Sequence, residues 1–150
     1  MEFNYSKMFP LKEKVTKYKK ISGKHVKTKL FADQEFLYIE PEGLEFLTKK
    51  AFTDVSHLYR SSHLKQLNKI LQDPEASNND QFVALSMLKN ASISSAGILP
   101  MCQDTGTAIV NGYKGQNVFT GIEDEKYISK GIYQCYQNNN LRFSQLAAIS

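Results

Sequence analysis

Apolar residues recur three and four positions apart over four stretches of this chain, and that rhythm commits most of it to short amphipathic helices. Leu44, Leu47, Ala51, Val55 and Leu58 fall on one face of a helix that Pro41 opens and that runs to about Tyr59. Leu64, Leu67 and Leu71 mark a second helix, capped by Ser61 or Ser62 and stopped by Asp73-Pro74. A third follows a cap at Asn79 or Asp80 and turns Phe82, Leu85 and Leu88 inward. The fourth, near 124–138, carries Tyr127, Ile128, Gly131, Ile132 and Cys135 on one face. It ends at Asn138-Asn139-Asn140, because asparagine tolerates the left-handed conformation common past a helix terminus. Upstream, residues 24–31 and 35–40 read as two strands of a hairpin around Ala32-Asp33-Gln34, after an irregular lead-in over 1–22. The fold class is therefore mixed α/β and helix-rich, a single domain over 1–150.

Between the third and fourth helices the helical spacing stops. Ile98-Leu99 and Ala108-Ile109-Val110 read as buried strand segments, and Pro100-Met101-Cys102-Gln103-Asp104-Thr105-Gly106-Thr107 as a tight polar loop between them. Loops held by a rigid scaffold are favoured places for chemistry. Three readings of Cys-Gln-Asp-Thr-Gly-Thr compete. As a metal or cluster site, Cys102 would supply a thiolate, with Gln103 and Asp104 beside the cofactor, although one cysteine alone cannot hold a cluster. As an aspartic-protease half-site, Asp104-Thr105-Gly106 would share a proton with a second carboxylate. Cys102-Gln103 before the triplet, Thr107 after it and the helical character of the chain all count against that reading. As a plain turn, Gly106 gives backbone freedom and Asp104 bonds backbone amides.

Charge and cysteine usage narrow the setting. Residues 1–30 hold nine lysines against Glu2 and Glu13, and the remainder is slightly acidic. The lysines are scattered, with no arginine and no aromatic platform among them, so a solvated N-terminus is expected and not a nucleic-acid arm. No apolar run approaches the ~18–20 residues of a membrane span, and the start lacks the apolar core of a secretory signal. A cytoplasmic protein is expected. Cys102 and Cys135 do not suggest a disulfide scaffold, and Cys135 reads as a small buried hydrophobe. His25, His57 and His63 sit in no motif, and packing or solvent suits the two on helices better than catalysis.

The longer stretch ILPMCQDTGTAIVNGYKGQ at 98–116 resembles the motif of class I, iron–sulfur-dependent fumarate hydratases. DPEAS at 73–77, FVALSMLKN at 82–90, NVFTG at 117–121 and NNLRFSQ at 139–145 resemble the same family in the same order, and the likeness reaches back to PLKEK near the start. The resemblance implies the leading part of that family's cluster-binding N-terminal domain. It implies reversible hydration of fumarate to (S)-malate in the citric acid cycle, with a [4Fe–4S] cluster as Lewis acid. Cys102 matches the first cluster ligand, Gln103 and Asp104 match positions lining the substrate pocket, and Asp104 is the candidate for proton handling. Arg142 matches an arginine that binds a substrate carboxylate, a task its guanidinium can perform in a bidentate manner.

Family chains run to several hundred residues, so the other two cluster cysteines and the rest of the pocket are expected beyond Ser150. They would belong to a longer chain or to a separate one, in an assembly that in the full-length family is a homodimer. A subunit of an L-tartrate dehydratase, which shares the Cys-Gln-Asp-Thr-Gly loop, and a non-enzymatic remnant or interaction module are the alternatives.

Overall fold

A computed structural model of the chain describes residues 3–6, 19–102, 106–121 and 123–143. Strands β1 (Val26–Phe31) and β2 (Gln34–Ile39) form an antiparallel hairpin in which Phe31 pairs with Gln34 and Val26 with Ile39. The connection is thus only Ala32-Asp33, both at positive φ (48° and 61°). Two-residue hairpin turns with positive φ at both central positions match the right-handed twist of the strands they join. A third short strand, β3 (Val118–Phe119), lies parallel to β2, with Leu37 opposite Val118. Its order in the sheet is β1-β2-β3.

Helix α1 (Pro41–His57) follows the hairpin directly, with Pro41 in its first turn. Helices α2 (Ser61–Ile70) and α3 (Asn78–Ser94) pack on each other, and α1 packs on α4 (Asp124–Asn138). Helix α3 begins in a reciprocal cap: the Asp80 amide donates to the Ser77 hydroxyl (3.2 Å), and the Ser77 amide donates to the Asp80 carboxylate (3.1 Å). Ser77 is therefore the cap, and Asp80 is its partner one turn in. Helix α4 gives way to Asn140 at φ 53°, the left-handed exit expected of the asparagine run. Of the lead-in, residues 3–6 and 19–22 are described, without helix or strand; the expectation for the rest lies outside the described residues.

Helix positions agree with the periodicity, but several inward faces do not. On α1 the buried side chains are Thr48 and His57, whereas Leu47, Val55 and Leu58 are exposed. The cause lies in α4, where Gly131 lets the two backbones touch: a Cβ there would stand 2.4 Å from the Glu45 carbonyl oxygen and 3.0 Å from Thr48 Cβ. So close an approach selects the face of α1 that carries Glu45, Thr48 and Lys49, and leaves Leu47, Val55 and Leu58 outward. On α3 the buried residues are Ala84, Ala91 and Ser94, while Phe82 and Leu85 are exposed. Ile98-Leu99 and Ala108-Ile109-Val110 are not strands, and apart from a half-buried Ala108 they are exposed. A strand needs an edge to pair with, and neither segment is among the strands of the three-stranded sheet.

Cys135 is fully buried, with the Thr53 hydroxyl 3.5 Å and the Asn139 amide nitrogen 3.4 Å from its sulfur. His57 is buried with Nδ1 2.9 Å from the Thr53 carbonyl, a packing role, and His63 stacks edge-on against Tyr59.

Candidate functional site

The segment that leads into Cys102 takes its shape from unsatisfied groups at the ends of three helices. The last carbonyls of any helix have no partner within it. In α1 these carbonyls capture other parts of the chain. The Ser56 carbonyl accepts from the Met101 amide (2.9 Å), and the His57 carbonyl from the buried Ser94 hydroxyl (2.9 Å). The end of α1 thereby holds both the end of α3 and the residue before Cys102.

Two asparagine side chains complete the grip. Asn90, in the last turns of α3, donates from Nδ2 to the Met101 carbonyl (2.7 Å). Asn140, just past α4, donates from Nδ2 to the Ile98 carbonyl (3.1 Å). Polar side chains and a helix terminus therefore do for residues 98–101 what a sheet neighbour would do for a strand. Cys102 emerges from this anchored stretch exposed and outside any disulfide. Gln103 and Asp104, the other expected pocket residues, lie outside the described residues.

Arg142 is exposed and follows buried Leu141, two residues after the Asn140 anchor. The Asn140–Ile98 bond thus ties the segment bearing Arg142 to the segment bearing Cys102. An open cleft of about 400 Å³ runs along α4, and neither Cys102 nor Arg142 is among the residues that line it. Gly106 and Thr107 form one wall of it, as the chain leaves the Cys-Gln-Asp loop, and Ile132, Tyr133 and Phe143 stand on the other. Among the described residues no three of histidine, cysteine, aspartate and glutamate cluster as metal ligands. An exposed thiol on an anchored segment fits one ligand of an iron–sulfur cluster, and the remaining ligands would have to come from elsewhere.

A sequence model described as fumarate hydratase (Fumerase) matches residues 46–149. The class I fumarate hydratase of Escherichia coli strain K12 named aerobic is 47% identical over 147 residues, covering 98% of this chain and 27% of that protein. This chain belongs to the class I fumarate hydratase family. The anaerobic class I enzyme of the same strain matches equally, at 47% over 147 residues. Fumarate hydratase 1, mitochondrial, of Leishmania major is 55% identical over 116 residues, covering 77% of this chain and 21% of that protein. The chain thus spans about a quarter of the length of these fumarate hydratases.

Within the family frame, sequence reasoning named Cys102 and Arg142 but passed over Asn90, Asn140 and the end of α1, which place them. The available signals were slight: Asn90 closes the FVALSMLKN block at the end of an apolar helix, and Asn140 opens toward Arg142 from a run of three asparagines.

Proposed function

We propose that this chain is the part of a fumarate hydratase that supplies the first cluster thiolate and one substrate-binding arginine for the reversible hydration of fumarate to (S)-malate. What carries the reading is identity across nearly the whole chain to class I fumarate hydratases. The anchoring of Cys102 and its tie to the Arg142 segment support it. A [4Fe–4S] cluster, when bound, supplies a Lewis acid that polarises the hydroxyl and carboxylate of the hydroxy acid.

The chain's own residues do the rest of this portion's work. Cys102, as a thiolate, is one ligand. Arg142 grips one carboxylate of the dicarboxylate through paired N–H donors, which a lysine cannot reproduce. Gln103 and Asp104 line the pocket, and Asp104 takes up the proton beside the other carboxylate or orients the group that does. The other ligands and the remaining pocket come from polypeptide corresponding to the rest of the relatives' length, as a continuation or as a second chain. In this reading the enzyme is a cytoplasmic homodimer of the citric acid cycle. Among the described residues no helix is long and apolar enough to cross a membrane.

The test is anaerobic reconstitution with iron and sulfide, with and without the polypeptide corresponding to the remainder of a class I relative. Broad visible absorption and malate dehydration are expected only with both polypeptides, and Cys102→Ser should abolish both signals. Arg142→Lys should keep the absorption and raise KM for the dicarboxylate by roughly 10- to 100-fold, as expected when charge-assisted paired hydrogen bonds are lost. Turnover of tartrate in place of malate would reassign the substrate. Full absorption and activity with Cys102→Ser would overturn the reading, and no activity in any combination would leave a non-enzymatic module.

A further inference from the structure

We propose that Asn90 and Asn140 are positioning residues that clamp residues 98–101 and thereby fix Cys102 relative to the Arg142 segment. The inference rests on the functional reading above for its consequence, but on this chain's own hydrogen bonds for its substance. Residues 98–101 belong to no strand or helix, so their backbone groups find partners elsewhere. Three of those groups do so on three different helices. The Ile98 carbonyl accepts from Asn140 beyond α4, the Met101 amide donates to Ser56 in α1, and the Met101 carbonyl accepts from Asn90 in α3. Met101 is held through both of its backbone polar groups, and so through the peptide units before and after it, directly ahead of Cys102.

The two asparagines suit these places for different reasons. Asn90 sits in helical backbone, where its short amide reaches across to a neighbouring segment. Asn140 has φ 53°, a conformation asparagine adopts more readily than most residues, and from there its amide points back to Ile98. Leu141, buried directly after it, fixes the chain on the way to Arg142. The pair therefore sets both the place of Cys102 and its relation to Arg142, and neither asparagine needs to touch substrate.

Aspartate has the shape of asparagine but, ionised, no donor. Asn90→Asp and Asn140→Asp are therefore the decisive variants, with Asn140→Gly as a variant that keeps the positive φ and loses the amide. Amide hydrogen exchange in the full chain reads the clamp without any cofactor. Exchange of the Met101 amide is expected to rise between about two- and tenfold in each variant, the range that follows from losing one hydrogen bond of modest net strength. Amides of α4 around Cys135 should not change. In the reconstituted two-polypeptide enzyme the same variants should lower visible absorption per complex and kcat, with KM for malate within about twofold of the parent in Asn90→Asp and raised in the Asn140 variants, which release the Arg142 segment.

Unchanged Met101 exchange in both aspartate variants would overturn the clamp. So would a rise shared equally by α3 and α4, which would mark the asparagines as general stability residues. If the parent enzyme binds no cluster, the fumarate hydratase reading fails while the exchange arm still decides the clamp.

Discussion

Glu45 sits at the contact of α1 with α4, where two α4 side chains converge on its carboxylate. Lys130 Nζ lies 2.9 Å from it, and the Gln134 amide donates to its other oxygen. Hydrogen bonding to Lys130 first, and then to Gln134, holds the Glu45 pKa below the usual carboxylate value. The same pairing raises the Lys130 pKa. A carboxylate with a folded pKa below its unfolded value stabilises the fold above the unfolded pKa of about 4.3, and that contribution fades as the pH falls toward the folded value. Glu45→Gln keeps the shape and an acceptor for Gln134 but removes the charge facing Lys130. Lys130 is half-exposed, so solvent screens the pair and Glu45→Gln is expected to show only a small deficit at neutral pH. Urea unfolding should show that deficit at pH 7 and its disappearance near pH 3. A deficit of the same size at both would mean that the carboxylate's charge is not what matters.

At the scale of elements, the joint between α1 and α4 depends on the absence of one side chain. Gly131→Ala would place a methyl 2.4 Å from the Glu45 carbonyl oxygen and 3.0 Å from the Lys49 amide nitrogen. Both are backbone atoms of a helix, which cannot rotate aside as a side chain would. The substitution is expected to cost about 2 kcal/mol or more, within the range for overpacking, despite alanine's better helix propensity. Thermal unfolding checks it, and a variant as stable as the parent would mean the helices separate freely. This joint also explains what periodicity could and could not tell. The spacing of Leu44, Leu47, Ala51, Val55 and Leu58 located α1 correctly. It could not say that a second face, carrying Thr48, would be the one chosen, because that choice was made by a glycine eighty-odd positions away. The hairpin was legible for the opposite reason: its pairing is local, and Ala32-Asp33 lie between two apolar-rich strands. β3 was not, since a two-residue strand leaves no period to read. Around the site, the Cys-Gln-Asp-Thr-Gly stretch stood out by residue type, and Arg142 only through the resemblance of its block to the family. The clamp did not, because it joins side-chain amides of two helix ends to backbone groups that sequence alone leaves unplaced.

For the whole molecule, the consequence is a thin core and broad apolar exposure. Among the described residues the buried apolar side chains are Leu67, Ala84, Ala91, Cys135 and Leu141, and most of these are small. Meanwhile Val55 is 74% exposed, Ile98 67%, Phe82 69% and Ile109 76%. Apolar exposure on this scale marks an interaction surface or an association liability. The chain alone is therefore expected to self-associate as its concentration rises and to enhance the fluorescence of an apolar dye. Val55→Lys tests which face is responsible. The position is on the outer side of α1 near its C-terminus, where a lysine is a good helix former and complements the helix dipole. The unfolding free energy should then stay within about 0.5 kcal/mol of the parent, the usual range for a surface change, while association measured by sedimentation weakens several-fold. Equal association by parent and variant would place the sticky surface elsewhere, on the exposed faces of α3 or the 98–110 segment. A large loss of stability would mean instead that Val55 is packed in the free chain and that α1 turns its leucine face inward after all.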